Sequence, residues 1–242
     1  MATWSAALDY PPMKAISPIP NLVEQVRDAL LNEIATGQLQ PGERIIQEQI
    51  AQALGVSRQP VQQALMLLRN QGVLQDAAGR GLIVTPIDPN HVHHVYQIRA
   101  AIEGMACRLA SEQKADQARK QGAALIEAGR KAVASGSVAK MIAADIRFHE
   151  FLYGLSGNPL IGPAMDAHLT FTQRAMGEVL VQDQSPRDIW DQHAAILDAI
   201  AAGTPDVAEK LAREHLMQAS RFMVSRLTEL AAKPDDKTTD AA

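Results

Sequence analysis

Four side chains in the second half of the chain have the types and spacing to bind a divalent metal ion. In the stretch AKMIAADIRFHEFLYGL, Asp145 and His149 are four residues apart, so a helix places them one above the other on one face. His193 and His215 each share a helical face with apolar residues, in RDIWDQHAAILDAI and EKLAREHLMQASRFM. Imidazole nitrogens and one carboxylate are ligands that suit zinc, nickel or manganese.

The alternative for each histidine, taken alone, is a hydrogen-bonded residue of the core. A single imidazole on an apolar helical face is most often of that kind. Three imidazoles and a carboxylate on the buried faces of three helices are harder to accommodate, because each unpaired polar group costs on the order of 1–3 kcal/mol. One metal ion would satisfy all four groups, and this favours a metal site over three separate core histidines.

A second set of polar residues lies on a short helix in GVSRQPVQQALMLLRNQGVL, residues 55–74. Its apolar stripe is Val61, Leu65 and Leu68, which leaves arginine and glutamines facing outward. Arginine can pair with guanine and glutamine with adenine, while a serine at a helix N-terminus suits a phosphate. A glycine-flanked arginine follows in the predicted hairpin. The candidate DNA-contacting residues are Ser57, Arg58, Gln59, Gln62, Arg80 and Gly81.

The elements around these residues predict a mainly α protein with two domains. Helical periods begin near Pro20, at 46–53 and at 57–71, and two β-like runs, VLQ and GLIVTP, follow them. This order predicts a winged helix-turn-helix domain over residues 20–87. From 88 to 232 the periods are all helical and predict a bundle of about six helices. The predicted breaks are SGS at 135–137, GNP at 157–159, QSP at 184–186 and GTP at 203–205.

The remaining segments and the composition narrow the class of protein. Residues 1–19 contain three prolines and predict a flexible arm, and residues 233–242 predict a disordered tail. No signal sequence or membrane span is apparent, so a cytoplasmic protein is expected. The net charge is −4, and residues 18–88 carry five Arg against seven acidic residues. This excludes a general nucleic-acid binder but leaves sequence-specific recognition open.

The stretch QPGERIIQEQIAQALGVSRQPVQQALMLLRNQGVLQDAAGRGLIVTPI resembles the DNA-binding domain of GntR-superfamily transcription regulators. The shared features are a PGE step, the GVSR-x-PV-x-x-AL motif and a glycine-rich wing. The resemblance implies DNA contacts at the six residues named above. Many relatives read RTPVREAL where this chain reads RQPVQQAL, so glutamine stands at position 62 in place of the usual arginine.

The second half resembles the FadR C-terminal-type domain, FCD, in its shorter, VanR-like branch. Metal-binding members carry D-x-x-x-H on one helix and single histidines on two later helices, the pattern of Asp145, His149, His193 and His215. The resemblance implies a small carboxylate bound beside the metal. Arg99 corresponds to an arginine that recurs in this domain and suits a carboxylate. The alternative is a salt bridge from Arg99 to Glu103, and Arg174 is a second effector-binding candidate.

These features together predict a transcription regulator rather than an enzyme. We expect a homodimer on a pseudo-palindromic double-stranded operator, with a small organic acid effector and a divalent metal, zinc first. A metal-responsive repressor with a structural or sensory ion is the alternative. A helical-bundle metalloenzyme is more remote, because HExxH, GxSxG and phosphate-binding glycine motifs are all missing from the sequence.

Overall fold

The computed structural model describes residues 22–180 and 189–232, which form nine helices and three short strands. The helices are α1 (Leu22–Ala35), α2 (Gln47–Leu54), α3 (Arg58–Asn70), α4 (Pro89–Gln113), α5 (Ala115–Ala134), α6 (Val138–Leu155), α7 (Ile161–Leu180), α8 (Ile189–Ala201) and α9 (Pro205–Ala232). The strands are β1 (Arg44–Ile45), β2 (Leu74–Asp76) and β3 (Leu82–Val84). The predicted arm at 1–19, tail at 233–242 and break at 184–186 lie outside the described residues.

The first three helices and the sheet form a winged helix-turn-helix. Apolar residues of α1 and α3, among them Val26, Leu30, Val61 and Leu68, make its core. The sheet is antiparallel in the order β1-β3-β2, with Leu74 opposite Val84. Strand β1 was not predicted, because two residues are too few to show an alternating pattern.

The turn between α2 and α3 fixes the direction of the recognition helix. Gly55 ends α2 with φ of 65°, the left-handed conformation that glycine adopts without strain. Ser57 is extended and precedes α3, and Pro60 lies in its first turn. The sequence pattern predicts that the second helix buries Ile46, Ile50, Ala53 and Leu54. This is wrong for three of them: Ile46 and Leu54 are 45% and 39% exposed, and Ala53 is exposed too.

The second half is all helical in its described residues, with six helices, α4 to α9, as predicted. Asp88 accepts a hydrogen bond from the Asn90 amide at 2.9 Å and caps α4, with Pro89 at the first helical position. The breaks at 135–137, 157–159 and 203–205 separate helices as expected. A further break, at Lys114 between α4 and α5, has no glycine or proline to signal it.

Helix α7 packs on three sides and so joins the two halves of the molecule. Met165 and Leu169 belong to the core formed with α6 and α8, and Ala175 and Val179 to the core formed with α4 and α9. On a third side Gly177 lies against the backbone of Ala35, the last residue of α1. A β-carbon at this glycine would be 2.6 Å from the Ala35 Cα, so α1 reaches α7 only because residue 177 is glycine.

The described helices also bear on the question of membrane insertion. None of those in residues 22–180 and 189–232 combines the length and the apolar character that crossing a bilayer requires.

Candidate metal centre and nucleic-acid interface

Three histidines and one aspartate converge in the bundle. Atoms of His149, His193 and His215 that could bind a metal lie within 4.8 Å of one another. The Nε2 atoms of His193 and His215 are 3.2 Å apart, and the Asp145 carboxylate lies 3.7 Å from the Nε2 atoms of both His149 and His193. Ligand atoms that share one ion at about 2.1 Å lie roughly 3–3.5 Å from each other. The separations in the structure are up to about 1 Å wider, so small side-chain movements would bring the three histidines and Asp145 around a single divalent ion.

Hydrogen bonds on the outer side of the rings set the tautomers of two histidines. His149 Nδ1 is 2.6 Å from Glu103 Oε2, and His215 Nδ1 is 2.9 Å from Gln192 Oε1. Both partners are acceptors, so each Nδ1 carries the proton and each Nε2 keeps a lone pair directed inward. This arrangement is the one that a metal-binding histidine requires.

His193 is oriented by aromatic packing instead. Its ring stacks on Phe148 at a centroid distance of 3.8 Å, and Trp190 meets it edge-on at 4.7 Å. Gly129 of α5 provides the space for the Trp190 ring, since any β-carbon there would collide with it. His193 Nδ1 has no hydrogen-bond partner among the described residues, so packing alone determines where its Nε2 points.

Burial keeps the imidazoles of His193 and His215 neutral. It lowers the pKa of His193 well below the ordinary value, with the neighbouring His215 and His149 acting in the same direction. Burial likewise lowers the pKa of His215 to about 3. It raises the pKa of Asp145, while His149 and Arg99 act against that rise. Neutral imidazoles offer metal-binding lone pairs without first losing a proton, and a bound cation would favour the Asp145 carboxylate.

Arg99 forms the salt bridge with Glu103 and also lies in the cavity wall. Its Nε donates to Glu103 Oε1 at 2.8 Å, and both side chains are only 1% exposed. Its Nη1 donates to Thr172 at 3.2 Å. The remaining nitrogen, Nη2, has no partner among the described residues, and Arg99 lines the cavity beside the metal ligands. The salt bridge and the cavity position coexist because one guanidinium has several donors.

Glu103 is the ionised group at the centre of this network. It accepts hydrogen bonds from Arg99, from His149 and, at 2.8 Å, from the Tyr153 hydroxyl. Burial alone would raise its pKa, but Arg99 and His149 hold the pKa of Glu103 well below its usual range. The carboxylate therefore stays charged while fully enclosed.

The cavity has a volume of about 250 Å³ and lies next to the proposed ligands Asp145, His149 and His215. The prediction that Arg174 contributes to it is wrong. The α7 residues in its wall are Met176 and Leu180, and a residue two positions before Met176 points to the other side of the helix. Arg174 is three residues before Gly177 and so shares the face of α7 that packs on α1. It is buried, and its guanidinium has no hydrogen-bond partner among the described residues.

Sequence reasoning missed several residues of this site. Glu103 had a visible signal, its i,i+4 spacing from Arg99, but was considered only as a competing partner. Gln192 had none, because adjacency to His193 does not place a side chain beside His215. Tyr96, also in the cavity wall, lies 5.1 Å from the Arg99 guanidinium across its ring face. The contacts of Glu103 with His149 and of Gln192 with His215 join residues that are far apart in the chain.

The candidate DNA-contacting residues share one property in the structure. All six are exposed: Ser57, Arg58, Gln59, Gln62, Arg80 and Gly81. Arg58 forms an ion pair with Glu48, and its carbonyl accepts a hydrogen bond from Gln47 at 2.9 Å. At the wing, Arg44 of β1 donates to the carbonyl of Arg80. Arg44, which was not among the candidates, therefore holds the wing tip in place.

A winged helix-turn-helix with an exposed polar recognition helix, joined to a helical domain that encloses a cavity, defines a DNA-binding transcription regulator. Comparison with known proteins agrees. Residues 22–84 match the bacterial regulatory proteins of the gntR family, and residues 94–218 match the FCD domain. The chain belongs to the gntR family of bacterial regulators, in the group that carries an FCD domain, and it is not an enzyme.

Individual relatives support this assignment. The chain is 30% identical to the Nta operon transcriptional regulator of Aminobacter aminovorans, over 74% of this chain and 83% of that protein. It is 28% identical to a probable D-xylose utilization operon transcriptional repressor of Paenarthrobacter nicotinovorans, over 81% and 85%. The structure of E. coli McbR/YncC aligns with a TM-score of 0.75 at 22% identity, over 87% of this chain and 99% of that one, which shows the shared fold.

Removing a proposed ligand should abolish stabilisation by metal. At a free zinc concentration of about 100 times Kd, binding contributes about 2.7 kcal/mol, which raises the melting midpoint by about 5–10 °C. We expect His193→Ala to lose this shift, and the near-isosteric Asp145→Asn to reduce it. The midpoint is measured with zinc and after chelation. His94→Ala, at an exposed histidine outside the cluster, should retain the full shift. An unchanged shift in both ligand variants would exclude this site.

Restoring arginine at position 62 should strengthen contact with the DNA backbone. Gln62→Arg adds a cation on the exposed face of α3, so affinity for duplexes of unrelated sequence should rise. The slope of log affinity against log salt should steepen by about one unit. Fluorescence anisotropy over a salt series measures this. The matched control, Gln121→Arg, adds the same charge on the exposed face of α5, and an equal steepening there would show that position 62 does not touch DNA.

Proposed function

We propose that this regulator binds a small carboxylate effector at a metal centre in its helical domain, and that the effector controls its affinity for an operator. The observation that carries the proposal is the convergence of Asp145, His149, His193 and His215 beside a cavity into which Arg99 also faces. A divalent ion held there, zinc first with nickel or manganese as alternatives, would supply a positive charge that attracts a carboxylate.

The protein's own groups would orient that carboxylate. Arg99 is held in place through Nε by Glu103 and through Nη1 by Thr172, so its position does not depend on the ligand. Its Nη2 is buried without a partner among the described residues, and a carboxylate oxygen would provide an acceptor for it. Arg99 and Glu103 are both buried, which strengthens this interaction.

The DNA-binding part of the proposal rests on the exposed face of α3 and the wing. We propose direct contacts from Arg58, Gln59 and Gln62 to bases, and from Ser57 and the wing at Arg80 and Gly81 to the backbone. Release of Arg58 from Glu48 would free its guanidinium for a base or a phosphate. A homodimer would present two such heads to a pseudo-palindromic operator, and a regulator of this kind works in the cytoplasm.

Helix α7 offers a direct route from the effector to the DNA-binding domain. Met176 and Leu180 lie in the cavity wall, while Gly177 of the same helix packs on the end of α1. A ligand that displaces α7 thereby displaces α1 and the winged domain to which α1 belongs, in addition to any change in the linker near Asp88. The effector can do so only by the difference in its affinity for the two arrangements.

The proposal is tested by melting the protein against a panel of small carboxylic acids, both metal-loaded and after chelation. We expect some acids to raise the midpoint only when metal is present, because the carboxylate needs both the ion and Arg99. If chelation lowers the midpoint but no acid changes it, the ion is structural or is itself the signal. That outcome would favour a metal-responsive repressor.

Substituting Gly177 should disconnect effector binding from DNA binding. In Gly177→Ala the added methyl would meet the backbone of Ala35, so α1 must move away from α7. We expect the most stabilising acid of the panel to bind as in the wild type. In the wild type, binding of an effector typically changes the affinity for DNA about 5–150-fold. In Gly177→Ala this fold-change, measured on a duplex selected by the wild-type protein, should fall towards one. Gly162→Ala is the matched control, since the space at this α7 position is open. Equal coupling in both variants would contradict the α7 route.

A further inference from the structure

We infer that the effector is a monocarboxylate with a short, unsubstituted apolar tail, rather than a dicarboxylate or a hydroxylated acid. The inference rests on the proposed function, because it assumes that the carboxylate lies between the metal ligands and Arg99. It adds the chemical class of the rest of the molecule, which is read from the remainder of the cavity wall.

The polar groups of the wall belong to one connected cluster. Asp145, His149 and His215 are the proposed metal ligands, and Arg99 reaches His149 through Glu103. Gln192 is hydrogen-bonded to His215, and Tyr96 lies against the Arg99 guanidinium. Apart from Gln218, on the exposed side of α9, every polar residue of the described wall is therefore in or next to the metal cluster. Hydrogen bonds and ion pairs with a bound ligand are therefore confined to one part of the cavity.

The rest of the wall is apolar and comes from different helices. Helix α7 contributes Met176 and Leu180, and α9 contributes Phe222 and Met223. Ile189 of α8 continues the same surface. Thioether and aromatic side chains adapt to aliphatic and aromatic groups alike but give no acceptor or donor to a hydroxyl. A hydroxylated tail would lose its hydration here without compensation.

The charge of the wall also limits the number of carboxylates. Arg99 is the one cationic side chain among the described residues of the wall, and two of its three nitrogens already have partners. A second carboxylate on the ligand would face the methionines and Phe222 without a counter-ion. Burying an unpaired charge is strongly unfavourable, so dicarboxylates should be rejected.

The volume of the cavity sets the length of the tail. Since a water molecule takes about 30 Å³ of the liquid, a space of about 250 Å³ holds roughly eight groups of that size. A ligand of roughly eight to ten non-hydrogen atoms follows, which corresponds to a six- to eight-carbon acid. Hexanoate represents this class.

The experiment compares acids of matched length by calorimetric titration of the zinc-loaded full chain. Hexanoate should bind about fifteen-fold more tightly than butyrate, since each buried methylene contributes about four-fold. Adipate and gluconate have the same six carbons but carry a second carboxylate or a row of hydroxyls. Both should bind more weakly than hexanoate.

A pair of methionine variants tests the wall itself. Met176→Gln keeps the length of the side chain but places an amide beside the tail, and should weaken hexanoate binding about ten-fold or more. Its zinc affinity should stay unchanged, because residue 176 is not one of the proposed metal ligands. Met66→Gln, at an exposed position of α3, should leave both affinities as in the wild type.

The outcomes separate this inference from the function on which it rests. If no acid of the series binds to the zinc-loaded protein, the proposed carboxylate site itself is wrong. If acids bind only with metal but adipate or gluconate binds more tightly than hexanoate, the site stands and the apolar-tail inference fails. Equal hexanoate affinity in Met176→Gln and the wild type would also overturn it.

Discussion

The buried ion pair between Arg99 and Glu103 is the interaction on which the rest of the helical domain depends. The two charges lie one turn apart on α4, and both are enclosed by protein. Such a pair gives little net stability compared with apolar residues, but breaking it leaves an isolated buried charge at a cost of about 3–5 kcal/mol. Its role here is to hold side chains of neighbouring helices in position. Through Glu103 it reaches His149 and Tyr153 of α6, and through Arg99 it reaches Thr172 of α7.

This pair also relates the proposed metal site to the proposed effector site. Glu103 keeps the His149 proton on Nδ1, which leaves Nε2 for the ion, and it holds a guanidinium that lines the cavity and has one nitrogen without a partner among the described residues. One carboxylate thus prepares a metal ligand and a ligand-binding cation at the same time. Neither residue can be replaced without disturbing the other, so the site behaves as one unit.

Packing of α7 links this unit to the DNA-binding domain. The helix presents methionine and leucine to the cavity and a glycine to α1, and these faces differ by about a sixth to a quarter of a turn. Arg174 shares the side of Gly177 and is enclosed without a hydrogen-bond partner among the described residues, and burial lowers its pKa to about 10. A charge held in this way is costly, which makes the contact between α1 and α7 sensitive to small displacements.

The sequence by itself determined the mainly α fold, the helix-turn-helix with its wing and most helix boundaries. Apolar periodicity, glycine and proline report on local structure, and the outer face of α3 was visible because its inner face was so regular. The four metal-ligand candidates could also be named, since polar residues interrupt otherwise apolar stripes. Three features carry little or no local signal: strand β1, the break at Lys114 and the exposure of Ile46 and Leu54.

Only the tertiary structure decided how these residues meet. It brought Gln192 onto His215, enclosed Glu103 between Arg99 and His149, and turned Arg174 away from the cavity towards α1. Each outcome depends on the rotation of one helix against another, which is set by packing over the whole interface. Spacing within a helix fixes which residues share a face, whereas the partner of that face is determined by contacts between distant parts of the chain.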